Sequence, residues 1–295
     1  MLRLTVPSHG KEEIGAMAAA VTSAIGATER EAFRRDGAVC LRGVFEPRWI
    51  ELLAAAVEKD KAEPGPMVRR NTPEGAPGEF FVDFQLWRRW PECRRFVEDS
   101  PAAEVAAQML GASEIVFYHD HLLVKEPGTR EPTPWHHDQP YYPIDGTMLG
   151  SIWLPLDPVD RVTSVEYIAG SHRWGRWFRP RYFNVDNTAL GAGDDGFEEI
   201  PDFDAERGSH RLLGWDMAPG DCVFFHALTV HGAPGNASPT RRRRAYAPRW
   251  LGEDARFAER PGRISPPIEG HGLKPGDAMA CEMFPRLWPR QEARA

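Results

Sequence analysis

The amino-acid sequence predicts a mainly β fold, a cupin-like jelly roll with helices packed on its outside near the N-terminus. Two observations carry this prediction. Helix-forming segments are confined to residues 11–112, whereas residues 113–251 hold many short apolar runs separated by Gly, Pro and Asp turns. Many short strands without alternating helices favour a sandwich or a closed jelly roll over a parallel α/β fold. We expect one domain over residues 1–295, with residues 252–295 forming a C-terminal loop segment.

The N-terminal part is predicted to combine helices with two short strands. Asp36-Gly37 is suited to end a helix, Pro47 to begin one, and Ser100-Pro101 to separate two. The predicted strands are 39–45 and 80–86, with a loop over 62–79. The predicted helices are Ala16 to Ala27, Glu29 to Arg35, Pro47 to Lys61, Pro91 to Asp99 and Pro101 to Leu110.

The middle of the chain is rich in β-branched and aromatic residues, which are typical of strands. Two segments interrupt it: Asn184 to Ser209 is acidic and glycine-containing, and Arg260 to Gly276 is dense in Pro and Gly. Both are candidates to cover a site. The predicted strands are 115–118, 122–125, 135–138, 149–156, 165–168, 211–217, 222–225, 228–231 and 245–251.

Composition and charge restrict the kind of partner. The net charge is −7, and the one dense basic run is Arg241 to Arg244, so nucleic acid is not an expected partner. Four scattered cysteines without CxxC spacing predict neither a zinc site nor a disulfide framework. The first eleven residues lack an apolar leader, and no stretch is long and apolar enough to span a bilayer. We therefore expect a soluble cytoplasmic protein that acts on a small molecule; its oligomeric state is not predicted.

The stretch from Pro134 to Asp138 holds the strongest chemical signal. His136 and Asp138 are two positions apart, and on an extended strand that spacing points both side chains to one face. A lone His-x-Asp is a weak motif, because such pairs are often only hydrogen-bonded. A second imidazole from elsewhere would complete the two-histidine, one-carboxylate set that suits non-haem Fe(II).

Two histidines compete for that third position. His226 and His231 both follow the turn Pro219-Gly220-Asp221, and their odd separation places them on opposite faces of a continuous strand. His231 is favoured because the adjacent Gly232 leaves room for close approach, whereas His226 is suited to hold a backbone partner.

A set of motifs in fixed order resembles the phytanoyl-CoA dioxygenase family over roughly residues 33–250. The resemblance implies a double-stranded β-helix that uses Fe(II), 2-oxoglutarate and dioxygen, with His136, Asp138 and His231 as the iron ligands. The motifs are Thr133-Pro134-Trp135-His136-His137-Asp138-Gln139, Ala169-Gly170-Ser171-His172, Pro219-Gly220-Asp221, Phe225-His226, His231-Gly232-Ala233 and Asn236.

The resemblance also implies an arginine that holds the distal carboxylate of 2-oxoglutarate on the strand after His231. Counting from that histidine favours Arg242, whereas matching the strand itself favours Arg243. We choose Arg243, because period-two alternation then places Ala245 and Ala247 beside it and leaves room for the cosubstrate.

Two further positions carry weaker implications. Trp153 corresponds to an aromatic residue beside the cosubstrate, although a core role suits it equally. His121 corresponds to a position that lines the cosubstrate pocket, where relatives often have an amide.

Retention of Asp138 favours hydroxylation of a C–H bond over halogenation. The alternatives are a cupin-like metal enzyme that does not use 2-oxoglutarate and a catalytically silent small-molecule-binding barrel.

Overall fold

The structure is a computed structural model that describes residues 25–183, 196–260 and 264–290. Within these ranges the chain is mainly antiparallel β-structure, and its α-helices all precede residue 111, which confirms the predicted class. The helix predicted from Ala16 to Ala27 lies almost wholly outside the described residues. No helix of the described ranges is long and apolar enough to cross a membrane.

The α-helices agree closely with the sequence prediction. The first ends at Gly37, whose φ of 80° lets its N–H donate to the carbonyl of Phe33. A four-residue helix after the second predicted strand was missed. The described α-helices are Ala27–Asp36, Pro47–Ala62, Leu86–Arg89, Pro91–Asp99 and Ala102–Leu110. Short 3-10 helices are Gln139–Tyr141, Arg161–Thr163, Ser171–Arg173 and Arg207–Ser209.

The strands form two main sheets and one small ribbon. The strands are β1 Ala38–Leu41, β2 Arg69–Arg70, β3 Phe80–Phe84, β4 Ile115–Lys125, β5 Thr133–His136, β6 Ile144–Asp145, β7 Leu149–Pro155, β8 Glu166–Ile168, β9 Leu212–Leu213, β10 Cys222–His226, β11 His231–Ala233, β12 Arg243–Leu251, β13 Arg256–Phe257 and β14 Arg286–Trp288. The large sheet has the order β1-β10-β7-β12-β4-β3-β2 with β14 beside β4, and the smaller sheet has the order β5-β11-β8-β9. Strands β6 and β13 pair separately.

The large sheet has an apolar core on each of its faces. On one face Leu122 and Tyr246 pack in a cluster with helix residues such as Leu53 and Phe96. On the other face Phe225 packs against Tyr167 of the smaller sheet, with ring centroids 5.2 Å apart. The two sheets therefore face each other, and the candidate site lies between them.

Several strand and loop predictions need correction. β1 ends at Leu41 rather than at residue 45, and β2 lies within the predicted loop 62–79. The predicted C-terminal loop segment 252–295 holds β13 and β14, which pair with β6 and β4.

Residues 115–118 and 122–125 belong to the single strand β4, because the stretch from Val116 to Lys125 pairs with β12 around one bulge. Of the predicted strand 228–231, residues 228–230 lie in the turn that precedes β11, and only His231 belongs to that strand. Of residues 211–217, only Leu212–Leu213 form a strand, which pairs with β8, and Met217 makes an isolated antiparallel bridge with Val159. Each error concerns pairing with a distant strand, which local residue pattern does not encode.

Candidate metal centre and cosubstrate pocket

The structure brings His136, Asp138 and His231 together. All three are buried, and one potential ligand atom from each lies within 4.8 Å of the others. His136 and His231 are directly opposed in the pairing of β5 with β11, so their rings lie on the same face with centroids 4.1 Å apart. The sheet register therefore joins residues that are far apart in the sequence.

Asp138 reaches this cluster by a different route from the one predicted. β5 ends at His136, and Asp138 has helical φ and ψ of −74° and −42° at the start of a 3-10 turn. Its backbone N–H donates to the carbonyl of Ala227 at 2.8 Å. A single extended strand does not carry both residues; the turn after β5 brings the carboxylate to the two imidazoles.

Both imidazoles are oriented by hydrogen bonds to the main chain. His136 Nδ1 lies 2.8 Å from the Pro134 carbonyl, and His231 Nδ1 lies 2.9 Å from the Thr229 carbonyl. Since a carbonyl only accepts, each Nδ1 carries a proton and each ring directs its Nε2 to the cluster. Burial, with a smaller contribution from the neighbouring His136, lowers the pKa of His231 to about 3, which keeps the His231 ring neutral. Imidazoles that are held through Nδ1 in this way present Nε2 to a metal ion.

The two oxygens of Asp138 have different neighbours. Oδ1 lies 3.6 Å from His136 Nε2 and 3.9 Å from His231 Nε2. Oδ2 accepts from Ser151 Oγ at 3.2 Å and lies 3.3 Å from the Arg249 guanidinium. Burial opposes ionisation, but the charge of Arg249 and the contact with His136 hold the pKa of Asp138 well below its usual range. The carboxylate is therefore anionic at neutral pH.

The competing histidine lies apart from this cluster. His226 ends β10, its Nε2 lies 2.8 Å from the Thr147 carbonyl, and its Nδ1 accepts from the Leu228 N–H at 3.0 Å. His137, between the two candidate ligands, accepts the Phe178 N–H at its Nε2. Both nitrogens of His226 have protein partners, which is the backbone-holding role that the sequence suggested.

A cavity that is open to solvent at its mouth adjoins the cluster, and the space within it, including the open mouth, is about 950 Å³. The wall formed by β4 and β12 holds Lys125 and Arg243, which are directly opposed in the register and only 1% and 7% exposed. Lys125 Nζ and an Arg243 terminal nitrogen donate to the same carbonyl, that of Pro234, at 3.0 and 3.2 Å. In the described part of the chain, neither cation is ion-paired with a carboxylate.

This pair of buried cations is costly to the protein as it stands. Burial lowers the pKa of Arg243 to about 10. Burial and the charge of Arg243 lower the pKa of Lys125 well below its ordinary value, and Glu131 offsets this in part. Like charges directly opposed across strands destabilise a sheet, so the arrangement favours an anion in the cavity.

The neighbouring arginines have other partners. Arg241 pairs with Asp160, and Arg242 pairs with Glu58 and Glu126. Arg244 holds Asp157 at 2.7 Å on the outer side of the sheet. Of the run from Arg241 to Arg244, Arg243 is the one that lines the cavity.

The two weaker candidates also line the cavity. Trp153 is 5% exposed and packs in the core cluster between the sheets. It therefore has the core position and also the position on the cosubstrate pocket that the sequence suggested as alternatives. His121 stacks on Phe84 at 4.2 Å, and its Nδ1 lies 3.5 Å from Arg249. His121 Nε2 is buried without a hydrogen-bond partner among the described residues.

Sequence reasoning missed Lys125 and Arg249. Period two from His121 places Lys125 on the cavity face of β4, and period two from Arg243 reaches Arg249 on β12. The alternation along each strand therefore indicated both residues. They were missed because the alternation was not followed to the charged residues near the strand ends.

The two interrupting segments contribute differently. Ser265 and Pro266 of the second segment line the inner cavity. Of the first segment, residues 184–195 lie outside the described ranges, whereas residues from Ile200 to Arg207 line a second pocket at the cavity mouth. Whether either segment closes over bound substrate stays a prediction.

Comparison with known proteins agrees with this geometry. The family model "Phytanoyl-CoA dioxygenase" matches residues 33–245. The ectoine dioxygenase of Bordetella parapertussis is 27% identical over 237 residues, which are 76% of this chain and 74% of the relative. The residues matched by the family model include all three members of the His-Asp-His cluster and Arg243.

Solved structures share the fold. The non-haem α-ketoglutarate-dependent carbocyclase SnoK from nogalamycin biosynthesis is 25% identical, with a TM-score of 0.68 over 90% of this chain and 97% of that chain. The epimerase SnoN, solved with Fe³⁺, α-ketoglutarate and nogalamycin RO, gives a TM-score of 0.69 at 20% identity over 92% and 99% of the two chains. The chain belongs to the phytanoyl-CoA dioxygenase family and is a 2-oxoglutarate-dependent non-haem iron oxygenase.

Proposed function

We propose that the protein hydroxylates a C–H bond of a small organic substrate, with His136, Asp138 and His231 holding the iron. The supporting observation is the buried cluster in which both free Nε2 atoms and one carboxylate oxygen converge. Two imidazoles and one carboxylate on one side of a metal leave the opposite positions open. Such a ligand set suits chemistry in which both cosubstrate and dioxygen must reach the metal.

The distal carboxylate of 2-oxoglutarate is assigned in this proposal to Arg243 and Lys125. A planar guanidinium can form a bidentate pair with a carboxylate, and the Lys125 ammonium adds a point charge beside it. Because they are buried and directly opposed on β4 and β12, they offer a dianion two positive charges that no carboxylate of the described residues pairs with. Trp153 and His121 would line the space between this end and the metal.

When bound, iron and 2-oxoglutarate supply the oxidation, which converts substrate, 2-oxoglutarate and O₂ into hydroxylated substrate, succinate and CO₂. The protein's contribution is to position these groups and to exclude water. Apolar side chains such as Phe225 and Ala247 form part of the cavity wall and limit solvent near the cluster.

The test measures 2-oxoglutarate binding and turnover by the purified protein. We expect Mn(II)-loaded protein without oxygen to bind 2-oxoglutarate, and Fe(II)-loaded protein in air to release succinate when a library of small organic substrates is offered. A coupled product that is 16 mass units heavier than its substrate identifies hydroxylation.

The alternatives give different results in the same assay. A cupin-like enzyme that does not use 2-oxoglutarate would bind metal but not the cosubstrate. A silent binding barrel would release no succinate with any substrate. The buried pair of Lys125 and Arg243 opposes the first alternative. Two buried cations that repel each other destabilise the protein unless an anionic ligand binds between them and offsets that cost.

A further inference from the structure

We propose that Arg249 and Ser151 form a clamp that keeps Asp138 a one-oxygen ligand, so that 2-oxoglutarate finds its two positions on the metal free. The inference rests on the proposed metal-binding role of the His-Asp-His cluster. It assigns a positioning function to two residues that neither the sequence motifs nor the family resemblance singled out.

The first observation is that the two oxygens of the Asp138 carboxylate contact different groups. Oδ1 faces the two imidazole Nε2 atoms, at 3.6 and 3.9 Å. Oδ2 accepts from Ser151 Oγ at 3.2 Å and lies 3.3 Å from an Arg249 terminal nitrogen. A charge-assisted contact and a hydrogen bond on Oδ2 oppose rotation of that oxygen towards the metal.

The second observation is how the sheet constructs the clamp. Arg249 of β12 and Ser151 of β7 are direct register partners, so their side chains leave the sheet side by side on the cavity face. Both are buried, at 6% and 0% exposure. Asp138, on the turn after β5, meets them from the opposing sheet.

The third observation is that Arg249 is itself held in place. Its Nε donates to Tyr142 Oη at 3.1 Å, and a terminal nitrogen donates to the Ala247 carbonyl. A bulge in β4 lies opposite, where Arg249 pairs with His119 but Trp250 pairs with Phe117. Bulges redirect side chains next to functional sites, and this one occurs where the arginine enters the cavity.

The consequence concerns open coordination positions. If Asp138 bound the metal through both oxygens, it would occupy one more coordination position. That position would then be missing for 2-oxoglutarate, which needs two. Holding Oδ2 on the protein keeps that position available. Loss of the clamp should therefore affect 2-oxoglutarate binding more than metal binding, which a merely structural role would not do.

The experiment measures the affinity of Mn(II)-loaded, oxygen-free protein for 2-oxoglutarate by calorimetry, and its affinity for Mn(II) separately. We expect Arg249→Gln to weaken 2-oxoglutarate binding about 10- to 100-fold, comparable in size to what loss of a partner behind a metal ligand costs in metal affinity or activity. The Mn(II) affinity should change less, and Arg249→Lys should recover part of the loss. Arg244→Gln is the matched control, since that arginine lies on the same strand but pairs outward with Asp157.

A double-mutant cycle with Ser151→Ala separates the clamp from direct contact with the cosubstrate. Because both residues hold one oxygen, their effects should be less than additive. Additive effects, or unchanged 2-oxoglutarate affinity in folded Arg249→Gln, would overturn the inference. Ser151→Ala alone, with thermal unfolding checked for every variant, keeps the test valid if Arg249→Gln folds poorly. Failure of the wild-type protein to bind 2-oxoglutarate would instead contradict the proposed function.

Discussion

The two faces of the large sheet are built from the same strands but differ in chemistry. On β4 and β12, most side chains that face the helices are apolar or aromatic, such as Leu122, Val124 and Trp250. Asp120 is a buried exception, which accepts hydrogen bonds from the N–H groups of Leu86 and Trp87. Side chains that face the cavity include Lys125 and Arg243. Strand alternation thus separates the residues that stabilise the fold from those that can act on a ligand.

The comparison teaches where burial indicates function. An apolar side chain buried on the helix face lowers the free energy of the folded state. A cation buried on the cavity face raises it unless a ligand arrives. Lys125 and Arg243 are as buried as the core around them, so their presence is better explained by an anion than by stability.

The largest expected effect is at the cluster between the sheets. We expect His136→Ala, Asp138→Ala or His231→Ala to abolish 2-oxoglutarate turnover, because two remaining ligands do not fix the geometry of an open metal site. Succinate release and bound metal are the measurements. His226→Ala is the control and should retain the activity; full turnover in His231→Ala with loss in His226→Ala would reverse the assignment.

A smaller effect is expected at the cationic end of the cavity. Arg243→Ala removes a charge-assisted pair worth about 1.5–3 kcal/mol, which corresponds to an increase of about 10- to 150-fold in the KM for 2-oxoglutarate. Steady-state kinetics with varied 2-oxoglutarate measures it. Arg241→Ala should leave KM unchanged, and an effect of Arg242→Ala in its place would show that the assignment within the arginine run is wrong.

Lys125→Met should separate function from stability on one strand. We expect a KM for 2-oxoglutarate about tenfold higher, with ligand-free protein about 1–3 kcal/mol more stable because a desolvated cation is removed. Leu122→Ala, which faces the helices, should instead destabilise by about 2–5 kcal/mol without changing KM. Chemical unfolding and kinetics give both quantities; a destabilised Lys125→Met would mean that Lys125 contributes to the core.

The smallest expected effect is the uptake of a proton by Lys125 when 2-oxoglutarate binds. Burial and the charge of Arg243 lower the pKa of Lys125 in the ligand-free protein, and a neighbouring carboxylate would raise it again. Between those two pKa values, 2-oxoglutarate binding should take up as much as about one proton, and the affinity should fall as the pH rises. Calorimetry in buffers of different ionisation enthalpy measures this uptake. Lys125→Met should abolish it, and uptake that persists in the variant would place the titrating group elsewhere.

Much of the fold followed from local sequence. Pro47 and Gly37 marked helix ends that the structure confirms. The many short runs of β-branched and aromatic residues after residue 113 predicted the mainly β fold class. The motif around His136 and His231 identified the two imidazoles that the structure brings together, because order and spacing of several motifs are far more specific than one His-x-Asp pair.

Tertiary structure decided the details that long-range pairing sets. β4 is one strand because β12 pairs with it from Val116 to Lys125 around one bulge, and the turn after β5 places Asp138 where no extended strand would. Arg243 meets Lys125, and Arg249 meets Ser151, only through register. The sequence by itself determined which residues could bind metal and an anion, since that depends on side-chain chemistry. Which of them meet depends on strand pairing and a bulge, and those are properties of the whole sheet.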